Sequence, residues 1–257
     1  MNASRLTPSI LFVHGAGHGS WCWQDHFTGW FQARGYNVAA PDLPHHGDLP
    51  RRGIRFASLK SYVSAVERAA GRLDRPLILV GHSIGGFVIQ KYLEDAEADL
   101  CVLLASIPPS GGSKFGRRYA RRFPGNFLKG IFTSRASHSV RVTREMLFTP
   151  DTPDEIVESA HSRLGQESFR ILMEMNKSIR TDQIGTPIVV LGADGDEMVV
   201  PADEIAETAS AYATTPIRIP GAHDMMLDTY WEHAASAIDS AIAEHIPTIA
   251  TAGGKPR

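Results

Sequence analysis

The stretch from Leu77 to Glu94 places a short apolar run, LILV, directly before Gly81-His82-Ser83-Ile84-Gly85 and a helical pattern, IGGFVIQKYLE, directly after Ser83. The apolar run has the length of a strand, and the pattern that follows has the period of a helix. The sequence therefore predicts a strand and a helix joined by a very tight turn. Small residues two positions before and after Ser83 permit such a turn, which would present the serine hydroxyl outside the backbone.

Short apolar runs alternate with helical patterns along most of the chain. We predict strands over Ser9–Val13, Tyr36–Ala40, Leu77–Val80, Leu100–Ala105, Ile188–Leu191 and Ile217–Ile219. We predict helices between them over Trp21–Ala33, Ser58–Leu73, Ile84–Glu94 and Asp203–Ala213, with a last helix over Thr229–His245. Such alternation is typical of an α/β fold, here a mainly parallel sheet of about six strands with helices on both faces.

Residues 106–183, which we call the inserted segment, interrupt this alternation. The segment lacks strand patterns, begins with a Pro- and Gly-rich stretch and then shows short helical patterns. These cover Lys114–Arg122, Val142–Leu147, Asp154–Leu164 and Ser168–Met175. We therefore expect an α/β core formed by residues 1–105 and 184–247, a helical lid over 106–183 and a flexible tail over 248–257.

Composition narrows the class of protein. The chain has 257 residues, a formal net charge of -2 and 43% hydrophobic residues, enough for a sizeable core. No stretch approaches the roughly 20 apolar residues that cross a bilayer, and the N-terminus lacks the pattern of a signal peptide. Two cysteines, Cys22 and Cys101, are too few for a disulfide framework. We expect a reduced, cytoplasmic protein.

The first half of the inserted segment is strongly basic. Nine Lys and Arg side chains and no acid lie between residues 113 and 144, which leaves -11 for the rest of the chain. Two interpretations stay open: a solvated helix face, or a surface that attracts an anionic substrate or a membrane. Nucleic acid is not an expected partner, because the whole chain is slightly acidic and carries no recognised binding motif.

A serine hydroxyl is a weak nucleophile and needs a base, usually a histidine that a carboxylate orients. The last predicted strand, IRIP, runs into Gly221-Ala222-His223, so His223 is the candidate base. The strand IVVLG precedes two candidate acids. We favour Asp196, which lies before an apolar turn, and keep Asp194 in reserve, since a residue beside Gly195 also suits a turn-forming role.

Acyl transfer builds negative charge on a carbonyl oxygen, which two N–H groups should meet. We predict the backbone amides of Ile84, directly after the serine, and of Ala16, in the loop HGAGHG that follows the first strand. His14 is expected to fix that loop, and His18 to line the entrance of the site. The loop lacks the pattern of a phosphate-binding motif, and no metal-ligand spacing is present, so we expect no cofactor or metal.

Together these residues resemble the α/β-hydrolase superfamily over nearly the whole chain. The stretch VHGAGHGSWCW is similar to the plant methyl esterase and hydroxynitrile lyase group, although the lyases place a lysine where Asp224 follows His223. IPGAHDMML resembles bacterial members described as esterases or lysophospholipase-like hydrolases. The resemblance implies a serine hydrolase with a Ser83, His223 and Asp196 triad.

The expected substrate is a small to medium apolar acyl or aryl ester, cleaved through an acyl-enzyme. Six residues that flank the motifs are predicted to line the substrate pocket: Trp21, Phe87, Ile107, Phe148, Met198 and Met225. The same triad could instead serve lactone opening, C–C bond hydrolysis or a lyase reaction. A non-catalytic small-molecule receptor that kept the pocket is the remaining alternative.

Overall fold

The computed structural model describes residues 7–49, 53–133, 135 and 137–246. Within these ranges one sheet has six strands: β1 Ser9–Val13, β2 Asn37–Ala39, β3 Leu77–His82, β4 Leu100–Leu104, β5 Ile188–Ala193 and β6 Ile217–Ile219. Their order is β2-β1-β3-β4-β5-β6, and every neighbouring pair is parallel. The predicted six-stranded α/β fold is confirmed.

The helices of the core precede and follow the strands. They are α1 Trp21–Gln24, α2 Phe27–Gln32, α3 Leu59–Ala70, α4 Ile84–Leu93, α10 Ala202–Ala211 and α11 Trp231–His245. The inserted segment contributes α5 Ser113–Arg122, α6 Pro124–Thr133, α7 Val140–Leu147, α8 Asp154–Arg163 and α9 Phe169–Glu174. Among the described residues, no helix is both long enough and apolar enough to cross a bilayer.

The sheet is covered on both faces. Every residue of β1, β3, β4 and β5 is buried, which is why these strands are continuous apolar runs rather than alternating ones. Helix α4 packs on α3 and on β3, whereas α11 packs on α2 and contacts β4. Because all six strands are parallel, the loops that follow them meet at one edge of the sheet, where ligands of such sheets bind.

Two helices differ from the sequence prediction. The single helix predicted over Trp21–Ala33 is two helices, because His26 leaves helical dihedrals and stacks on Trp231 of α11, with ring centroids 4.6 Å apart. Helix α6 was not predicted. It begins at Pro124, and proline is well suited to the first position of a helix, because the N–H group that it lacks would have no partner inside the helix. The predicted tail over 248–257 lies outside the described residues.

Gly85, the second residue of α4, lies against the backbone of the loop after β1. A Cβ atom at this position would lie 2.3 Å from the carbonyl oxygen of Val13 and 2.5 Å from that of His14. We expect Gly85→Ala to lower the free energy of unfolding by about 1–3 kcal/mol, because backbone atoms cannot move aside as a side chain can. Thermal unfolding measures the loss.

Gly29→Ala in α2 is the matched control, since a Cβ there meets nothing within 4 Å. Alanine in an exposed helix position should leave stability unchanged or raise it by up to about 1 kcal/mol. Equal losses in the two variants would contradict the proposed close approach at Gly85.

Candidate active site

Ser83 occupies the turn between β3 and α4. Its φ of 53° and ψ of -120° are strained for a residue with a side chain. The turn is held by neighbouring backbone: Ser83 N–H donates to the Leu104 carbonyl (3.1 Å), and Ile107 N–H donates to the Ser83 carbonyl (3.2 Å). The hydroxyl-bearing residue is therefore fixed at the carboxyl edge of the sheet, beside the amino end of α4.

His223 and Asp196 are in contact. Nδ1 of His223 lies 2.6 Å from Oδ2 of Asp196, and both residues are almost fully buried. Burial alone would lower the pKa of His223, but the carboxylates of Asp196 and, to a smaller extent, Asp224 outweigh burial and raise it. The Asp196 carboxylate is itself oriented, because its Oδ1 accepts from the N–H groups of Val199 (2.9 Å) and Val200 (3.2 Å).

Asp194, the reserve acid, lies elsewhere. Its carboxylate is 63% exposed and pairs with Arg218 at 3.0 Å, on the surface of the sheet edge. Asp194 and Asp196 are two positions apart, yet the Asp196 carboxylate contacts His223 and the Asp194 carboxylate faces solvent. The two side chains diverge in the turn after β5, in which Gly195 N–H donates to the Gly221 carbonyl at 2.8 Å.

One cavity of about 400 Å³ brings the candidate groups together. Ser83, His223, Ala16 and Ile84 all line it. Among the described residues, the backbone N–H groups of Ala16 and Ile84 donate to no other backbone group. Two unused amides beside a serine and a histidine form an arrangement that could stabilise a developing oxyanion.

Most residues predicted to bind substrate lie outside this cavity, and only Ile107 lines it. Trp21 lines a separate depression, Phe87 and Met225 are buried in the core, and Phe148 and Met198 are not part of the cavity wall. These positions were predicted because they neighbour the motifs in sequence. Neighbouring side chains in a turn or helix point in different directions, so nearness along the chain did not predict the lining.

The inserted segment supplies most of the apolar wall instead. Its contributions include Phe115 and Tyr119 of α5, Phe127 of α6, and Leu172 and Met173 of α9. The available sequence signal was weak. Helix α5 is otherwise polar, but α6 and α9 carry several further apolar side chains. Phe127, Leu172 and Met173 remain more than a third exposed, as expected for the wall of an open cavity.

The two histidines of the loop after β1 have different surroundings. His14 Nε2 accepts from Leu43 N–H at 3.0 Å, and burial holds the pKa of His14 well below its usual range. This neutral side chain fixes the loop, as expected. His18 is not at an entrance: it is 3% exposed, lines the cavity and pairs with the Asp224 carboxylate at 3.0 Å.

Much of the basic charge in the first half of the inserted segment is paired. Among the described residues, five of the nine basic side chains between residues 113 and 144 form ion pairs: Lys114 with Glu207, Arg118 with Glu204, Arg122 and Arg141 with Glu145, and Arg144 with Asp154. Arg118 also donates to the carbonyls of Met198 (3.0 Å) and Val199 (2.7 Å). Helix α5 is thereby tied to the turn that orients Asp196. The membrane interpretation of the basic charge stays a prediction.

Comparison with known proteins gives both sequence and structural relatives. The model of the Alpha/beta hydrolase family matches residues 10–235. The probable esterase PIR7A of Oryza sativa is 33% identical over 128 residues, covering 46% of this chain and 48% of that protein. Norfluorocurarine synthase 2 of a Strychnos species is 38% identical over 104 residues, covering 39% of each. The chain thus spans about half the length, or less, of these curated relatives.

A solved structure of a methylesterase from Arabidopsis is similar over almost the whole chain. It superposes with a TM-score of 0.72 at 18% identity, covering 93% of this chain and 100% of that one. At this level of identity the likeness shows a shared fold alone.

Proposed function

Because the chain belongs to the alpha/beta hydrolase family, we propose that it hydrolyses carboxylic esters through an acyl-enzyme on Ser83. One observation carries the proposal: the 2.6 Å contact between His223 and Asp196, on a cavity that Ser83 also lines. A buried histidine held by a carboxylate is the arrangement that activates a serine hydroxyl. The relatives named as esterases support the same class of reaction.

The proposed mechanism has two symmetric halves. Oγ of Ser83 attacks the ester carbonyl carbon while Nε2 of His223 takes the hydroxyl proton. Asp196 holds the proton on Nδ1, which leaves Nε2 able to accept, and stabilises the imidazolium that forms. The alcohol departs with the proton from His223. Water then attacks the acyl group by the same route, which releases the acid and restores Ser83.

The charge that develops in each half lies on the former carbonyl oxygen. We assign its two donors to the backbone amides of Ala16 and Ile84, two residues that line the cavity together with Ser83. The amide of Ile84 also belongs to the first turn of α4, whose dipole places partial positive charge there. Removing one such donor typically costs about 2.7–4 kcal/mol of transition-state stabilisation.

The cavity supports a substrate of small to medium size with apolar acyl or aryl groups. Its volume of about 400 Å³ lies toward the lower end of ligand sites, and its wall is mostly aromatic and aliphatic. In this proposal the inserted segment is the lid, since α5, α6 and α9 provide that wall above the carboxyl edge of the sheet. The lid would keep water from the apolar part of the ester.

A fluorophosphonate probe tests the proposal directly, because it reacts with activated serines. We expect one adduct per chain, mapped by mass spectrometry to the peptide that contains Ser83, and none on heat-denatured protein. Labelling should slow in the presence of p-nitrophenyl esters that the protein cleaves, with the highest kcat/KM between acetate and octanoate.

Two other outcomes would redirect the assignment. A folded protein that binds apolar esters without reacting with the probe is a receptor. A labelled Ser83 together with inactivity on all esters, but turnover of lactones or of C–C bonds, places the chemistry in another reaction of the same triad.

A further inference from the structure

His18 and Asp224 form a buried ion pair that the proposed mechanism does not use. Nε2 of His18 lies 3.0 Å from Oδ2 of Asp224, and their side chains are 3% and 0% exposed. The two residues are 206 positions apart in sequence and belong to the loops after β1 and β6. A carboxylate this deeply buried is costly unless it is paired, so the contact requires an explanation.

The hydrogen bonds of His18 indicate its charge. Nδ1 lies 2.9 Å from the carbonyl oxygen of Ala16, which can only accept, and Nε2 faces a carboxylate oxygen. Burial would raise the pKa of Asp224, but His18, together with smaller contributions from His82 and His223, outweighs burial and holds it below the usual range. Both nitrogens of His18 thus face acceptors, which is the hydrogen-bonding pattern of an imidazolium paired with a carboxylate.

The negative end of this pair lies beside the candidate base. Oδ1 of Asp224 accepts no hydrogen bond from any described residue and lies 3.8 Å from Nε2 of His82. That same nitrogen donates to the carbonyl of His223 at 3.0 Å, and the rings of His82 and His223 are 4.7 Å apart. The Asp224 charge therefore acts on His223 across a buried contact, where charges interact more strongly than in water.

Other ionisable groups also lie around His223 and the ion pair. They are Asp196 after β5, His82 at the end of β3, Cys22 of α1 near Asp224, and Glu167 and Arg135 on the cavity wall. Burial lowers the pKa of His82 well below its usual range and raises that of Cys22, so both are neutral. Asp196 and Asp224 are the two carboxylates that raise the pKa of His223.

The ion pair also connects two loops whose relative position matters for the proposed reaction. His18 holds the carbonyl of Ala16, the residue assigned to the oxyanion. The Asp224 backbone N–H donates to the carbonyl of Leu147 in α7 at 2.9 Å, and its own carbonyl accepts from Leu227 and Asp228. The ion pair thus connects the loop with the oxyanion donor to the turn with the base.

We propose that His18 and Asp224 are positioning residues for the base: their ion pair sets the electrostatic balance around His223 and locks its loop to the loop of Ala16. The inference rests on the proposed function, since it assigns His223 as the base. It predicts that neutralising either partner moves the protonation of His223, and in opposite directions.

The pH dependence of kcat/KM tests this prediction. The base must be neutral, so activity is lost as pH falls through the pKa of His223. Asp224→Asn removes the nearby negative charge and should move this acidic limb to lower pH by about 0.5 unit or more. His18→Gln keeps a donor to Asp224 but removes the positive charge, and should move the limb to higher pH by a similar amount.

The double variant His18→Gln/Asp224→Asn replaces the ion pair by a neutral, hydrogen-bonded pair. Its acidic limb should lie within about 0.3 pH unit of that of the original protein. Asp194→Asn is the control for loss of a nearby exposed carboxylate and should leave the limb in place. The proposal would be overturned if the acidic limb did not move, or if it moved in the same direction in both single variants. An equal loss of kcat at every pH, with no shift of the limb, would also overturn it.

An NMR titration of the histidine ring nitrogens in the Ser83→Ala protein repeats the test without turnover. The same opposite shifts of the His223 titration are expected there for the two single variants. If the fluorophosphonate probe and the ester panel both fail but these shifts occur, the proposed function is wrong, and only the coupling between the ion pair and the protonation of His223 stands. If the probe labels Ser83 and the shifts are absent, the ion-pair inference alone is wrong.

Discussion

Ser83→Ala is expected to lower kcat for ester hydrolysis by about three to six orders of magnitude. The variant loses the nucleophile but keeps the cavity and the amides of Ala16 and Ile84, so a residual rate above that in water should persist. Steady-state kinetics on the best p-nitrophenyl ester measures the change. Ser64→Ala, on a half-buried position of α3, is the control for loss of a serine hydroxyl and should stay within about twofold. Undiminished hydrolysis by Ser83→Ala would refute the acyl-enzyme.

The strained turn adds a stability readout to the same position. Because Ser83 has a φ of 53°, Ser83→Gly should be inactive yet more stable than Ser83→Ala by about 1 kcal/mol, since glycine adopts this conformation without a Cβ clash. For a chain of this size that difference corresponds to about 2–4 °C in Tm. A Ser83→Gly protein that melts below Ser83→Ala would show that the turn stores no such strain.

Asp196→Asn is expected to lower kcat by about two to four orders of magnitude with the fold intact. The amide oxygen can still accept from Val199 and Val200, so the turn keeps its hydrogen bonds. The amide nitrogen, however, would donate to Nδ1 of His223, which forces the proton to Nε2, where the serine proton has to go. Single-turnover acylation rates measure the effect apart from product release.

Asp194→Asn is the matched control, two residues away and with the same change of atoms. Its carboxylate pairs with Arg218 in solvent, so its loss should change kcat by no more than about twofold. A larger effect at position 194 than at 196 would mean that the reserve acid, rather than the buried one, orients the base.

Elements with local signals were predictable from the chain. β1 and β6 have the predicted bounds, and β3 and β5 extend two residues beyond them, because a run of apolar residues long enough for a strand needs no distant partner to be recognised. The break between α1 and α2 was not predictable. It depends on the stacking of His26 on Trp231, a residue about two hundred positions later.

The sequence by itself determined the fold class, the strained turn at Ser83 and the candidate base. The reason is that a strand, a tight turn and a helix are each recognisable from a few consecutive residues. Only the tertiary structure decided which aspartate contacts His223, which helices form the cavity wall, and that His18 pairs with Asp224. The physical reason is that a side chain's partner depends on the direction in which each turn leaves the sheet. That direction is set by packing between segments far apart in the chain.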